Sequence, residues 1–357
     1  MKLVQLPIIL REGAYTKEDL DALQTTKKIW NTRDIFKEQL AELFEVTHPE
    51  SLRAHDFRAN QEAFVKEKSA KEDFAGNWVY FPWSGVLLHT LTEEDYFSLR
   101  TNRNRDLITR EEQETLSRAC IGIAGLSVGG AIALSLAYSA IGGTMKLADN
   151  DILETTNLNR LRSRADQIGL PKIAITAEQI YDVNPYANLE LYPEGLGEES
   201  IVGFMEGKSP RVIFEIIDDF KMKITLRMLA RERRIPIVML TNLGDNVLVD
   251  IERYDENASL PLFNGLIGST PEEILNSEIS KEDEKKYAIA IVGKENIPAR
   301  AIQSVMEIGK TLVGRPQLMS SVSVLGGVGA FIARKIILGE AVPSGRKLLQ
   351  FKDILPS

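Results

Sequence analysis

Paired carboxylates, an asparagine, an arginine and a lysine follow one another on one connection of this chain. They run from Asp149-Asn150-Asp151 through Asn157-Leu158-Asn159-Arg160 to Pro171-Lys172. An arginine and a lysine beside a nucleotide would suit a triphosphate, whose charge must be neutralised as pyrophosphate leaves. A nicotinamide dinucleotide would need nothing particular there. Upstream lies Gly125-Leu126-Ser127-Val128-Gly129-Gly130. Glycine at such a place lets backbone approach a phosphate, and a helix N-terminus offers free N–H donors. Gly125 and Gly130 match the outer glycines of G-x-G-x-x-G, with Ser127 in the middle position, where its hydroxyl could donate to a phosphate. Asp149 follows 24 residues after Gly125, where an acid bonds ribose hydroxyls in nucleotide-binding α/β folds.

The elements that must position these groups alternate. Residues 121–124 form a short apolar strand before the glycine loop, 128–141 a helix, and 144–148 a strand ending at Asp149. Helix 171–183, strand 189–192, helix 198–205, strand 212–217, helix 222–233 and strand 235–240 continue the pattern. This alternation predicts an α/β fold with a mostly parallel sheet and helices on both faces. After residue 245 it breaks. Residues 247–251 read as an antiparallel strand, 301–313 and 318–338 as long helices, and 276–286 as a charged surface loop or short helix. Asp250, Glu252 and Asp255 read as a solvated strand face, and 260–265 as a crossover loop over the sheet, open to an acyl substrate.

Residues 1–115 form a separate, mainly helical N-terminal region, and 116–357 the nucleotide-binding domain. The first region holds Trp30, Trp78 and Trp83. Residues 18–43 read as helix in two pieces. Leu20, Leu23 and Trp30 share one buried face, and Phe36, Leu40 and Leu43 another. Residues 76–83 read as a strand stopped by Pro82, with 92–100 and 111–119 as helices.

The 357 residues are 44% hydrophobic and carry a net charge of −8, so nucleic acid is a poor general partner. Cys120 is the lone cysteine, and His48, His55 and His89 all lie in the first quarter. Disulfides and Cys/His metal sites are therefore not expected, whereas magnesium held by carboxylate and phosphate oxygens is compatible. The uncharged stretches 119–145 and 316–333 are interrupted by glycine and read as core, not membrane spans. The N-terminus lacks a full signal-peptide pattern, so a cytoplasmic location is expected.

The D-x-D…N-L-x-R element from Asp149 to Arg160 resembles the signature of the ThiF/MoeB/HesA family, which includes the adenylation domains of ubiquitin-activating enzymes. Lys172 matches the family's G-x-x-K lysine. Asp218 matches the acid of its D-N pair, with Asp219 in place of asparagine. Arg103 resembles the second arginine of its R-Y-x-R-Q stretch. The resemblance implies a Rossmann-like fold and ATP-dependent adenylation of a carboxylate. It implies that Asp149 holds the ribose, and that Asn157, Arg160 and Lys172 contact phosphates. Asp151 and the glycine loop (Gly125, Ser127, Gly129, Gly130) belong to the same nucleotide site. Asp218 binds Mg2+, and Arg103 reaches a partner's nucleotide across a homodimer. A carboxylate of pKa about 4 is already ionised at neutral pH, so no general base is needed.

The chain lacks the catalytic cysteine and the C-x-x-C zinc site of many relatives, so the acyl group would pass directly to another nucleophile. An N-terminal region ahead of the adenylation domain resembles the layout of relatives that modify ribosomal peptides. The acid is thus expected to be a peptide carboxylate, a ubiquitin-like protein or a small acid. An inactive scaffold and a nicotinamide-dependent oxidoreductase are the alternatives.

Overall fold

The computed structural model describes residues 4–70, 74–354 and 356. The chain divides into two compact units. One takes in the chain up to Gln113 with Tyr181–Tyr186, the other Glu114–Ile180 and the chain from Ala187 onward.

The first unit contains β1 (Ile8–Leu10), α1 (Lys17–Thr26), β2 (Asn31–Asp34), α2 (Phe36–Thr47), α3 (Phe57–Lys68), β3 (Asn77–Phe81), β4 (Val86–Thr90) and α4 (Glu93–Thr101). Helices make up more of it than strands, yet it also holds a four-stranded sheet in the order β1-β3-β4-β2. Helix α1 packs Leu23 with Tyr80 and Leu87, and α2 packs Phe36, Leu40 and Leu43 with Ala75 and Leu91. The helix expected over 18–43 is interrupted by β2, an edge strand parallel to β4. Its sequence, Asn-Thr-Arg-Asp, has no apolar alternation to betray it. Trp30 is a further correction. It lies 74% exposed, not on a buried face, and its indole N–H donates to the Ser84 carbonyl. His89 is a core histidine, bonded to Asp34 (3.0 Å) and the Ala75 carbonyl (2.7 Å) and stacked on Trp78.

Helix α5 (Arg110–Arg118) leads into the second unit. There follow β5 (Cys120–Ala124), α6 (Gly129–Tyr138), β6 (Thr144–Ala148), α7 (Lys172–Val183), β7 (Asn188–Tyr192), α8 (Ser200–Met205), β8 (Val212–Glu215), α9 (Phe220–Glu232) and β9 (Ile237–Leu243). Then come β10 (Asn246–Glu252), α10 (Pro271–Asn276), α11 (Lys281–Val292), α12 (Ala299–Glu307), α13 (Met319–Ile337) and β11 (Gly345–Gln350). The seven strands are ordered β11-β10-β9-β8-β5-β6-β7. Strands β5 to β9 pair in parallel, and β10 and β11 add an antiparallel edge. Every residue of β5, β6 and β8 is buried, as expected when helices cover both faces. The strand order reverses between β5 and β8, the place where open α/β sheets leave a ligand crevice.

Helix α13 is long and apolar enough to cross a membrane by length and composition. In this fold it packs along α6 through Gly326, where a Cβ would lie 2.6 Å from the Ala131 carbonyl oxygen. Helix α12 ends at Glu307, short of the expected 313, and the charged segment after 276 enters α11.

Strand β10 departs most from its expected role. Asp250 and Glu252 are fully buried, not solvated. Arg346 bonds Asp250 at 2.5 Å, and Arg227 bonds both Glu252 (2.7 Å) and Glu215 (2.6 Å). Lys223 completes the pairing of Glu215 at 2.7 Å, and the Tyr254 hydroxyl and Phe263 N–H donate to Glu252. The Phe263 ring lies 3.7 Å from the Arg227 guanidinium. The segment expected to cross over the sheet therefore plugs the core with Leu262 and Phe263. Phe263 and Asn264 both hold a positive φ of 52°, a strain the network sustains.

Candidate nucleotide site

Gly125 ends β5 with a φ of +94°, and a Cβ there would lie 2.3 Å from the Ile216 carbonyl oxygen. Only glycine allows the loop to pass this close to the end of β8. Asp149, at the end of β6, secures the loop from the other side. Its Oδ2 accepts from Leu126 N–H at 2.6 Å and its Oδ1 from Asp151 N–H at 2.9 Å. Burial raises its pKa above the usual carboxylate value, against the pull of these two backbone bonds and Lys172. A carboxylate has further lone pairs, so the anchoring role leaves acceptor capacity for a ribose.

The connection from Asp149 to Lys172 is pinned at its base. Leu153 N–H donates to the Leu170 carbonyl, Gly169 N–H to the Leu153 carbonyl, and Lys172 N–H to the Asp151 carbonyl. That closure brings the Lys172 ammonium to 2.7 Å from Asp151. Asn157 is buried and its Oδ1 accepts from Glu154 N–H, fixing the turn before Arg160. The Arg160 guanidinium donates to the Thr156 carbonyl (3.1 Å) and Asn159 Oδ1 (2.9 Å), while its buried Nε has no partner among the described residues. Its pKa is lowered, first by burial and then by the neighbouring Arg315.

Arg160, Lys172, Ser127 and Gly130 line one small cleft, and Ser127 also lines a second of about 340 Å³ together with Asp218. Arg160, Asn157 and Asp218 share a larger groove of about 820 Å³. Gly129 is buried at the start of α6. Asp218 is exposed, and Asp219 caps α9 by accepting from Met222 N–H. Arg103 is exposed on a short 3-10 turn of the first unit. Among the described residues no group of three or more His, Cys, Asp or Glu could hold a metal ion. Of the two acids lining the groove beside Arg160, Glu154 and Asp218, Asp218 also lines the cleft with Ser127, where a magnesium–phosphate complex could use it, in keeping with an ion that takes most of its ligands from phosphate and water.

Four groups at this end of the sheet were not anticipated: Asn242, Lys285, Arg315 and Gln317. Asn242 stands at the C-terminal end of β9, the position where parallel strands deliver ligand-binding residues, and that signal was available. Nothing local marks the other three.

The ThiF family profile matches residues 100–354, and the chain belongs to that family. An uncharacterized protein of Mycobacterium tuberculosis (strain CDC 1551 / Oshkosh) is 37% identical over 272 residues, 76% of this chain and 37% of the relative. The tRNA threonylcarbamoyladenosine dehydratase of Bacillus subtilis (strain 168) is 30% identical over 139 residues, 38% of this chain and 54% of the enzyme. The chain thus matches about half or less of the length of these relatives. The crystal structure of PaaA has a similar fold, with a TM-score of 0.50 at 24% identity over 72% of this chain and 77% of that one.

Proposed function

We propose that the chain is an ATP-dependent adenylyltransferase that converts a carboxylate into an acyl adenylate. The observation that carries this reading is Arg160, oriented by two hydrogen bonds, with a buried and unpartnered Nε beside the glycine loop. A guanidinium so held is preorganised for phosphate oxygens. Asp149 would hold the ribose, and the loop from Gly125 to Gly130, with Asp151 and Asn157, would shape the phosphate cleft. Asp218 would bind Mg2+ with phosphate oxygens, lowering the charge the leaving group must carry. The substrate carboxylate then needs only alignment with the α-phosphorus.

The experiment is ATP–pyrophosphate exchange. Arg160→Ala and Lys172→Ala each lower exchange by on the order of 10²-fold, as loss of one preorganised charge does. Unchanged exchange in both variants removes the assignment. Under the same reading the enzyme is a cytoplasmic homodimer in which Arg103 reaches the partner's nucleotide. Sedimentation as a dimer, with reduced exchange in Arg103→Ala, is the expected result.

A non-catalytic scaffold is the second reading. It is favoured by the 2.7 Å pairing of Lys172 with Asp151, which must open before the ammonium can turn to a phosphate.

A further inference from the structure

The groove of about 820 Å³ beside Arg160 has two unlike ends. Its outer walls are apolar: Ile289 and Val292 of α11, Ala301 and Val305 of α12, and Ile308 and Val313 beyond them. No residue of α12 is fully buried. Ile289, Val305 and Ile308 are each more than 40% exposed. Its inner end is polar. Arg315 forms no ion pair or hydrogen bond among the described residues. Asn242 is only 6% exposed, and its buried amide nitrogen has no hydrogen-bond partner among the described residues. The side-chain oxygen of Gln317 is also buried with no partner among the described residues, and the Gln317 backbone carbonyl accepts from Asn159 Nδ2 at 2.8 Å, tying this strap to the Arg160 turn. The charged residues lining the groove are Arg160, Lys285 and Arg315 against Glu154 and Asp218, so cations are in excess.

We propose that this groove is the acyl subsite and takes an apolar carboxylic acid, with the carboxylate between Arg315 and Asn242 and the hydrocarbon along α11 and α12. The inference rests on the adenylation reading above and names its substrate class. An extended peptide would bring its own N–H and C=O groups against helix faces that offer no free backbone partners. A hydrocarbon chain carries no such groups, and each methylene taken from water favours binding by about fourfold. The acid's carboxylate oxygen attacks the α-phosphorus of ATP. An acyl O–P bond forms, the bond from the α-phosphorus to the bridging oxygen breaks, and its electron pair leaves with pyrophosphate. Arg160 faces the phosphates, and Arg315 and Asn242 hold the nucleophile.

Acetate and octanoate are titrated calorimetrically into the full chain with ATP-Mg, and both are run in pyrophosphate exchange beside a peptide ending in Gly-Gly. Octanoate is expected to bind at least tenfold more tightly than acetate and to support the faster exchange. Val305→Asp, on an exposed helix face, removes that difference, and Arg315→Ala raises KM for the acid. Equal binding of the two acids overturns the subsite, even where the peptide supports exchange and the adenylation reading stands. Octanoate binding with no exchange for any acid keeps the groove as an apolar-acid site and overturns adenylation instead. Dissociation of a dimer by Val305→Asp, with octanoate binding unaltered, assigns the groove to a second copy of the chain and overturns the proposal.

Discussion

Two charge clusters lie in the second unit and use the same residue types to opposite ends. Around Arg227 the cation is matched by carboxylates: Glu215 and Glu252 pair with it at 2.6 and 2.7 Å, Lys223 pairs with Glu215, and Tyr254 and the Phe263 backbone donate to Glu252, although Nη2 of Arg227 has no hydrogen-bond partner among the described residues. Around Arg160 the side chains are oriented but not consumed. The guanidinium keeps a buried, unpartnered Nε, a second guanidinium lies nearby, and cavities open on both sides. Burial of charge alone does not distinguish structure from function. What distinguishes them is whether carboxylates within the chain pair with the cation.

The comparison breaks most visibly at Arg227. Arg227→Ala takes the shared cation from two buried carboxylates and is expected to cost about 3–5 kcal/mol in urea unfolding. Arg160→Ala should shift unfolding by no more than about 0.5 kcal/mol, because the rest of its turn is held by backbone bonds. Equal losses in the two variants would erase the contrast. Asp149 belongs to both worlds. Asp149→Ala leaves the Leu126 and Asp151 N–H groups without their acceptor, at a cost of about 1–3 kcal/mol, and should lower nucleotide affinity as well.

Acid titration gives the smallest effect. Burial raises the pKa of Glu215, but Lys223 and Arg227 outweigh it and hold the carboxyl below its ordinary value. Its contribution to stability is therefore present above the unfolded pKa of about 4.3 and lost as pH falls through the lower folded value. Glu252 works in the opposite sense, since burial pushes its pKa up beyond what Arg227 restores. The difference between wild type and Glu215→Gln isolates Glu215. Stability of the wild type should fall more steeply below about pH 4 than that of the variant.

Local pattern was enough for the parallel core, because strands covered on both faces read as continuous apolar runs. Asp149 follows β6 directly, as the same pattern predicted, and Asp218 lies just beyond β8. Local pattern failed where partners are distant. Asp250 and Glu252 alternate with Val249 and Ile251 as a solvated face would, and only Arg346, 96 positions from Asp250, and Arg227, 25 from Glu252, reveal that both faces are covered. Strand β2 failed for the reverse reason: it is a polar edge strand whose pairing with β4 leaves no period in its sequence. Arg315 and Gln317 join the site through a strap more than 150 residues from Arg160, a contact that no spacing rule encodes.

Calorimetric titration of ATP-Mg and of NAD into the wild-type chain and Arg160→Ala tests the central claim most directly. ATP should bind the wild type in preference to NAD and bind the variant on the order of 10²-fold more weakly, as expected where a charge-assisted phosphate contact is lost. Preference for NAD, or ATP affinity unaltered by the substitution, would contradict a triphosphate site built on that arginine.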